Sequence, residues 1–220
     1  MAVLFLLQKA QKENSKMKAV IAPAYLPNIY YLSWLIHQKE IYFSADTHYQ
    51  KQTFRNRCVI CAANGKLKLT IPVTHQKKQR HQKENKVQIA YTTLWQKQHW
   101  KSLTTAYRSS PYFEFYETEI SVFYQKRIAS LMEFNLSFLE KIMELIEFPL
   151  EYTLVHWNQE HHYRMDHLIE AKNKLSLDFI PYHQVFQNKF NFIANLSILD
   201  VLFNLGPDTL SYLKKHDFLH

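Results

Sequence analysis

The chain has 220 residues, 47% hydrophobic and 21% charged, a balance that supports a packed core and excludes a disordered chain. It has only two glycines, Gly65 and Gly206, so neither GxGxxG nor GxxxxGKS can be written, and a Rossmann dinucleotide loop or a P-loop is excluded. The formal charge of +8 favours anionic partners, although an unspecific basic surface is the better account of it.

Met1 to Leu7 is apolar but falls well short of the ~20 residues a membrane-spanning helix needs, and it lacks the cleavage pattern of a signal peptide. Residues 1–17 are expected to be an N-terminal extension, with Met17 as an alternative start. Residues 18–220 are expected to form one mixed α/β domain, with a sheet-containing part over 18–92 and a mainly helical part over 93–220. Ala19 to Ala22 reads as a buried strand that breaks at Pro23. After the turn Ala24-Tyr25-Leu26, the spacing of Ile29, Leu32, Trp34, Leu35 and Ile36 predicts a helix over Pro27 to Gln38. Pro27 suits a first helical turn, and free N–H groups there would attract an anion. A second strand, Glu40 to Ser44, leads to Asp46 and a polar run that includes His48, Tyr49, Gln50, Lys51, Arg55, Asn56 and Arg57.

Cys58 to Ala62 and Lys66 to Val73 flank Asn64-Gly65, which predicts a hairpin with a two-residue primed turn. Leu67, Leu69 and Ile71 would form its buried face. Cys58 and Cys61 are spaced C-x-x-C, but no second ligand pair exists for zinc. In a strand they point to opposite faces, so one core thiol and one surface thiol are expected, in a reducing cytoplasm. Thr74 to Lys86 is polar and basic and reads as a surface loop, and Val87 to Ala90 as a short strand. Helices are predicted over Thr93 to Arg108, Glu114 to Phe134 and Asn135 to Ile146, then a strand over Glu151 to Leu154. His156, His161, His162 and His167 raise a metal hypothesis. The order HExxH is absent, although His162 and Asp166 would share a face if helical; no metal site is expected. Pro181 to Phe190 reads as extended, Leu196 to Asn204 as a helix capped by Asn195 or Ser197 and stopped at Leu205-Gly206-Pro207, and Asp208 to Lys215 as the last helix.

No nucleophilic triad is legible. The strongest constellation is Tyr25, Asn28, Asp46, Gln50, Lys51, Arg55, Asn56 and Arg57. Asp46 at a strand end is a candidate general base. The Lys51, Arg55 and Arg57 cations suit a phosphate or carboxylate, because Arg pairs such groups with two hydrogen bonds. A solvated loop with one Asp–Arg pair is the plainer alternative. Trp95 and His99, four residues apart, form a second group: His99 suits proton transfer if its ring titrates near neutrality, and a packing histidine among aromatics otherwise. A phosphorylated or otherwise anionic small molecule is the expected partner rather than nucleic acid, and the residues name no cofactor.

Taken together, Ile21-x-Pro23-x-Tyr25-Leu26-Pro27, Asp46-x-x-x-Gln50-Lys51, Arg55-Asn56-Arg57 and Leu69-Thr70-Ile71-Pro72-Val73 resemble the opening of the WbqC-like family. The run from Asn195-Leu196-Ser197 to Gly206-Pro207 resembles its end, so the likeness covers about residues 18 to 213. Ala22 stands where that family usually has Gln. The resemblance implies a transferase of cell-surface polysaccharide (O-antigen-type) biosynthesis, by acyl or aminoacyl transfer to a nucleotide-linked sugar. The alternative from charge is a noncatalytic basic module for nucleic acid or a partner protein.

Overall fold

A computed structural model describes residues 17–74, 82–171 and 177–218; the expected extension, most of the basic run before Glu84 and part of the segment after Glu170 lie outside these. Four short strands form one wholly parallel sheet: β1 (Lys18–Ile21), β2 (Ile41–Ser44), β5 (Tyr152–Val155) and β6 (His162–Arg164), in the order β5-β2-β1-β6. The central strands are apolar and buried at their carboxyl ends, as parallel strands covered on both faces should be. An antiparallel hairpin, β3 (Arg57–Ala62) and β4 (Gly65–Thr70), makes a separate two-stranded sheet. The α/β class is thus mixed, as expected from the sequence.

Helix α1 (Ile29–Ile36) joins β1 to β2. It starts two residues later than the apolar spacing suggested, because Asn28 caps it by accepting the Tyr31 N–H at 2.9 Å. The helical half comprises α2 (Trp95–Tyr107), α3 (Phe113–Gln125) and α4 (Leu131–Leu145). The break before α4 falls at Lys126 to Ser130 rather than after Phe134. Ser130 caps α4 through the Glu133 N–H, so the S-x-x-E signature of a helix start was present there. Val87 to Ala90 makes isolated bridges to Val73 and Ser130 instead of a strand. His162 lies in β6 and Asp166 in a 3-10 turn, so they share no helix face.

A short α5 (Gln187–Phe190) lies within the segment expected to be extended. It precedes α6 (Ile198–Leu205), capped by Ser197, and α7 (Thr209–Lys214). Helix α6 packs against α1, α3 and β3, and α2 against the same β3. One apolar cluster therefore runs from Ile21 through Phe113 and Phe138 to Leu199, Phe203 and Leu213. Its polar fastening is Asp200, buried on α6, which accepts from the hydroxyls of Tyr107 (2.9 Å) and Tyr182 and from the Gln184 amide (2.9 Å). Because helices cover the hairpin, Cys61 is buried along with Cys58, and the expected surface thiol is corrected. Burial pushes the Cys61 thiol up to about 11. Leu67, expected on the buried face, is instead exposed, while Leu69 and Ile71 are buried. Among the described residues no helix is long and apolar enough to cross a membrane.

Candidate functional site

In parallel sheets ligands gather beyond the carboxyl ends of the strands, most of all where the strand order reverses. Here β1 leads to β2 on one side, while β6 returns to the other side of β1, so the reversal lies between β1 and β6. Asp46 follows β2, His156 follows β5 and Asp166 follows β6, so all three stand at that end.

Asp46 is held closely. It accepts the Trp157 main-chain N–H at 2.8 Å and meets His156 Nδ1 at 3.2 Å and the Lys83 ammonium at 3.7 Å. Partial burial works to raise its pKa, but the Trp157 N–H, His156 and Lys83 outweigh it and hold Asp46 below the ordinary carboxylate range. The His156 ring is largely exposed beyond this contact, with 86% of its side chain accessible. Residues 47–49 bridge to 82–84: Tyr49 N–H donates to the Gln82 carbonyl and Glu84 N–H to the Thr47 carbonyl. That pairing sets Lys83 beside Asp46 and Glu84 beside Arg55.

Arg55 is buried, and its guanidinium is taken up by Glu84 and, at 3.3 Å, by Asp166. Burial raises the Glu84 pKa even against the Arg55 charge. Arg55 Nη1 has no partner among the described residues, and neither has Oδ1 of Asn135, whose amide nitrogen donates to the carbonyls of Pro23 and Arg55. These residues line a small notch with Pro23, Tyr49 and Glu84, with room for about one water. Asn56, expected to contact a substrate, donates its amide to the Ile71 carbonyl. Arg57 opens β3 opposite Thr70 and is half-buried, while Gln50 and Lys51 are exposed on the loop. Asp46 and Arg55 therefore take separate partners, where a single set of converging cations was expected.

Two further expectations change. The N-terminus of α1 offers no free donors: Ile29 N–H goes to the Leu196 carbonyl, Tyr30 N–H to Asn195 Oδ1 and Tyr31 N–H to Asn28 Oδ1. An anion there would have to displace the protein's own acceptors. His99 is buried with Trp95 edge-on to it at 5.2 Å, and its Nδ1 lies 3.0 Å from the Tyr25 hydroxyl, which also meets Tyr124 at 2.8 Å. Burial lowers the His99 pKa to about 4, against the neutrality expected from its type. The structure does bring Tyr25, Trp95 and His99 together, but inside the core, and these surroundings match the packing alternative.

A cleft of about 580 Å³ opens between the segments that follow β1 and β6 and the run from Phe192 to Leu196. Asn28, in the segment leaving β1, and His167 and Leu168, in the turn after β6, form part of its wall. Phe54, Phe179 and Phe192 add aromatic surface, and Lys66 reaches it from β4. Among the described residues no group of three or more His, Cys, Asp or Glu side chains is arranged to hold a metal ion. As site residues, His156, Glu84 and Asn135 escaped the sequence reading, and Asn195 entered it only as a candidate cap. His156 stood among other histidines, Glu84 inside a run resembling a solvated basic face, and Asn135 carries no motif.

Compared with known proteins, the chain matches the model described as the WbqC-like protein family over residues 22–178 and 165–212. No curated protein and no solved structure matches it.

Proposed function

The chain belongs to the WbqC-like protein family, and from that premise we propose that it is a transferase of cell-surface polysaccharide assembly, passing an acyl or aminoacyl group to a nucleotide-linked sugar. The observation that carries this reading is the pairing of Asp46 with His156 Nδ1 at the carboxyl ends of neighbouring parallel strands. Transfer to a sugar amine or hydroxyl requires the nucleophile to lose a proton as it attacks the donor carbonyl. The ionised Asp46 orients the imidazole through Nδ1, and the other ring nitrogen, on the exposed side, takes that proton while the donor's leaving group departs. Lys83, beside Asp46, and Arg164, paired with Asp166 over the Trp157 ring, supply positive charge for a phosphorylated substrate. Gln50, Lys51 and Arg57 are assigned to the same substrate from the neighbouring loop and strand.

A thermal-shift screen against nucleotide sugars, acyl-CoA and aminoacyl adenylates tests the reading, because a ligand that binds the folded state raises its apparent stability. At least one nucleotide sugar is expected to raise the midpoint. Asp46→Asn is expected to lower turnover more than binding, since it removes the charge that supports the imidazolium. A screen in which no member of any class shifts the midpoint sinks the proposal.

A further inference from the structure

The cleft between the segments that follow β1 and β6 has both the volume and the lining of a small-molecule site, which typically holds about 300–1,000 Å³ with apolar walls and a few directed polar groups. Its polar groups are unusually one-sided. Asn28 and Asn195 both spend Oδ1 on the first turn of α1, accepting the N–H groups of Tyr31 and Tyr30. What each has left for a ligand is its Nδ2 donor. Lys66 contributes an ammonium and His167 an imidazole, and Glu170 is the one acidic residue of the lining. The donors thus face an acceptor-rich, anionic group. Phe54, Phe179 and Phe192 offer flat apolar surface for a ring.

We propose that this cleft binds a nucleoside phosphate, with the base against the phenylalanines and the phosphate oxygens on Lys66 and the Asn28 and Asn195 amides. The inference rests on the transferase reading only in its consequence: the nucleotide would be the handle of the activated substrate, bound beyond β1 and β6 while chemistry proceeds beyond β2 and β5. Nucleotide recognition here uses side-chain amides and a lysine. It needs neither a glycine-rich loop nor the N-terminal N–H groups of α1, which are already taken.

The test is calorimetric titration of the intact chain with UMP and AMP, with uridine, adenosine and inorganic phosphate as separate probes. The expected result is that a nucleoside phosphate binds more tightly than either of its parts. Asn28→Asp and Asn195→Asp keep an oxygen to accept the α1 N–H groups, so they retain the cap while turning a donor into a repelling charge. Each variant, and Lys66→Ala, is expected to weaken binding about tenfold or more with the melting temperature essentially unchanged. Binding that all three variants leave intact would overturn the cleft assignment while sparing the transferase reading. Inorganic phosphate binding as tightly as the nucleotide, or no binding of either nucleotide by the folded wild type, would overturn it as well. Transfer activity sustained in the cleft variants at saturating substrate leaves the catalytic reading standing on Asp46 and His156.

Discussion

At the scale of single residues, environment decides what a side chain can do. Arg55 belongs to a charge run in the sequence, yet it is buried against Glu84 and Asp166. Removing one member of a buried ion pair strands the other, so Arg55→Ala is expected to destabilise the fold by about 3–5 kcal/mol. Chemical denaturation would detect this, and an unchanged midpoint would mean that Glu84 is protonated or reaches water. His99 gives a pH dependence with a definite sign. Its folded pKa lies below the unfolded value, so its contribution is present above pH 6.5 and is lost as the pH falls towards about 4. The stability advantage of the wild type over His99→Asn should shrink by about 3 kcal/mol across that window. A constant difference would place a solvated ring there. Asp46 was legible because it follows a clear strand. His156 was not, because its meaning depends on β5 lying beside β2, a pairing about 110 residues apart that no local pattern records.

Elements were legible to the extent that their signals were local. The apolar spacing in α1 and the Ser197 cap of α6 are written in short windows, and both formed. The hairpin formed too, but its turn residues are Ala63 and Asn64, with Ala62 opposite Gly65. Neither turn residue has positive φ, whereas Gly65 has φ +96°, which is the arrangement of an ordinary turn followed by a glycine bulge rather than a primed turn. A side chain at Gly65 would meet only the Phe190 ring at 3.8 Å, an ordinary contact, so the backbone alone carries the penalty. Gly65→Val is expected to cost about 1 kcal/mol or more, read as a lowered melting temperature. No loss would mean that the loop relaxes into another register. The break before α4 was missed because no Pro or Gly marks Lys126 to Ser130, and the serine cap is the weaker signal.

Across the whole molecule, the sheet and the helical half share apolar side chains, and Asp200 ties α2, α6 and the irregular segment at Tyr182 together. We propose that residues 18–220 unfold as one cooperative unit. Calorimetry should give a single transition whose measured enthalpy equals the van't Hoff value, and Tyr107→Phe should lower its midpoint by leaving Asp200 one donor short. Two resolved transitions would divide the chain. The sheet order could not be read beforehand, since β5 and β6 are only four and three residues long and carry exposed side chains typical of loops. Yet that order is what gathers Asp46, His156 and Asp166 at one end of the molecule. The most direct measurement is therefore a transfer assay followed by mass spectrometry, with nucleotide sugars offered beside acyl-CoA or aminoacyl donors. The wild type is predicted to yield a sugar heavier by the acyl or aminoacyl group, and folded Asp46→Asn and His156→Gln to yield little of it. Product formed equally well by both variants, or by none of the proteins with any donor that the wild type binds, would contradict the assignment.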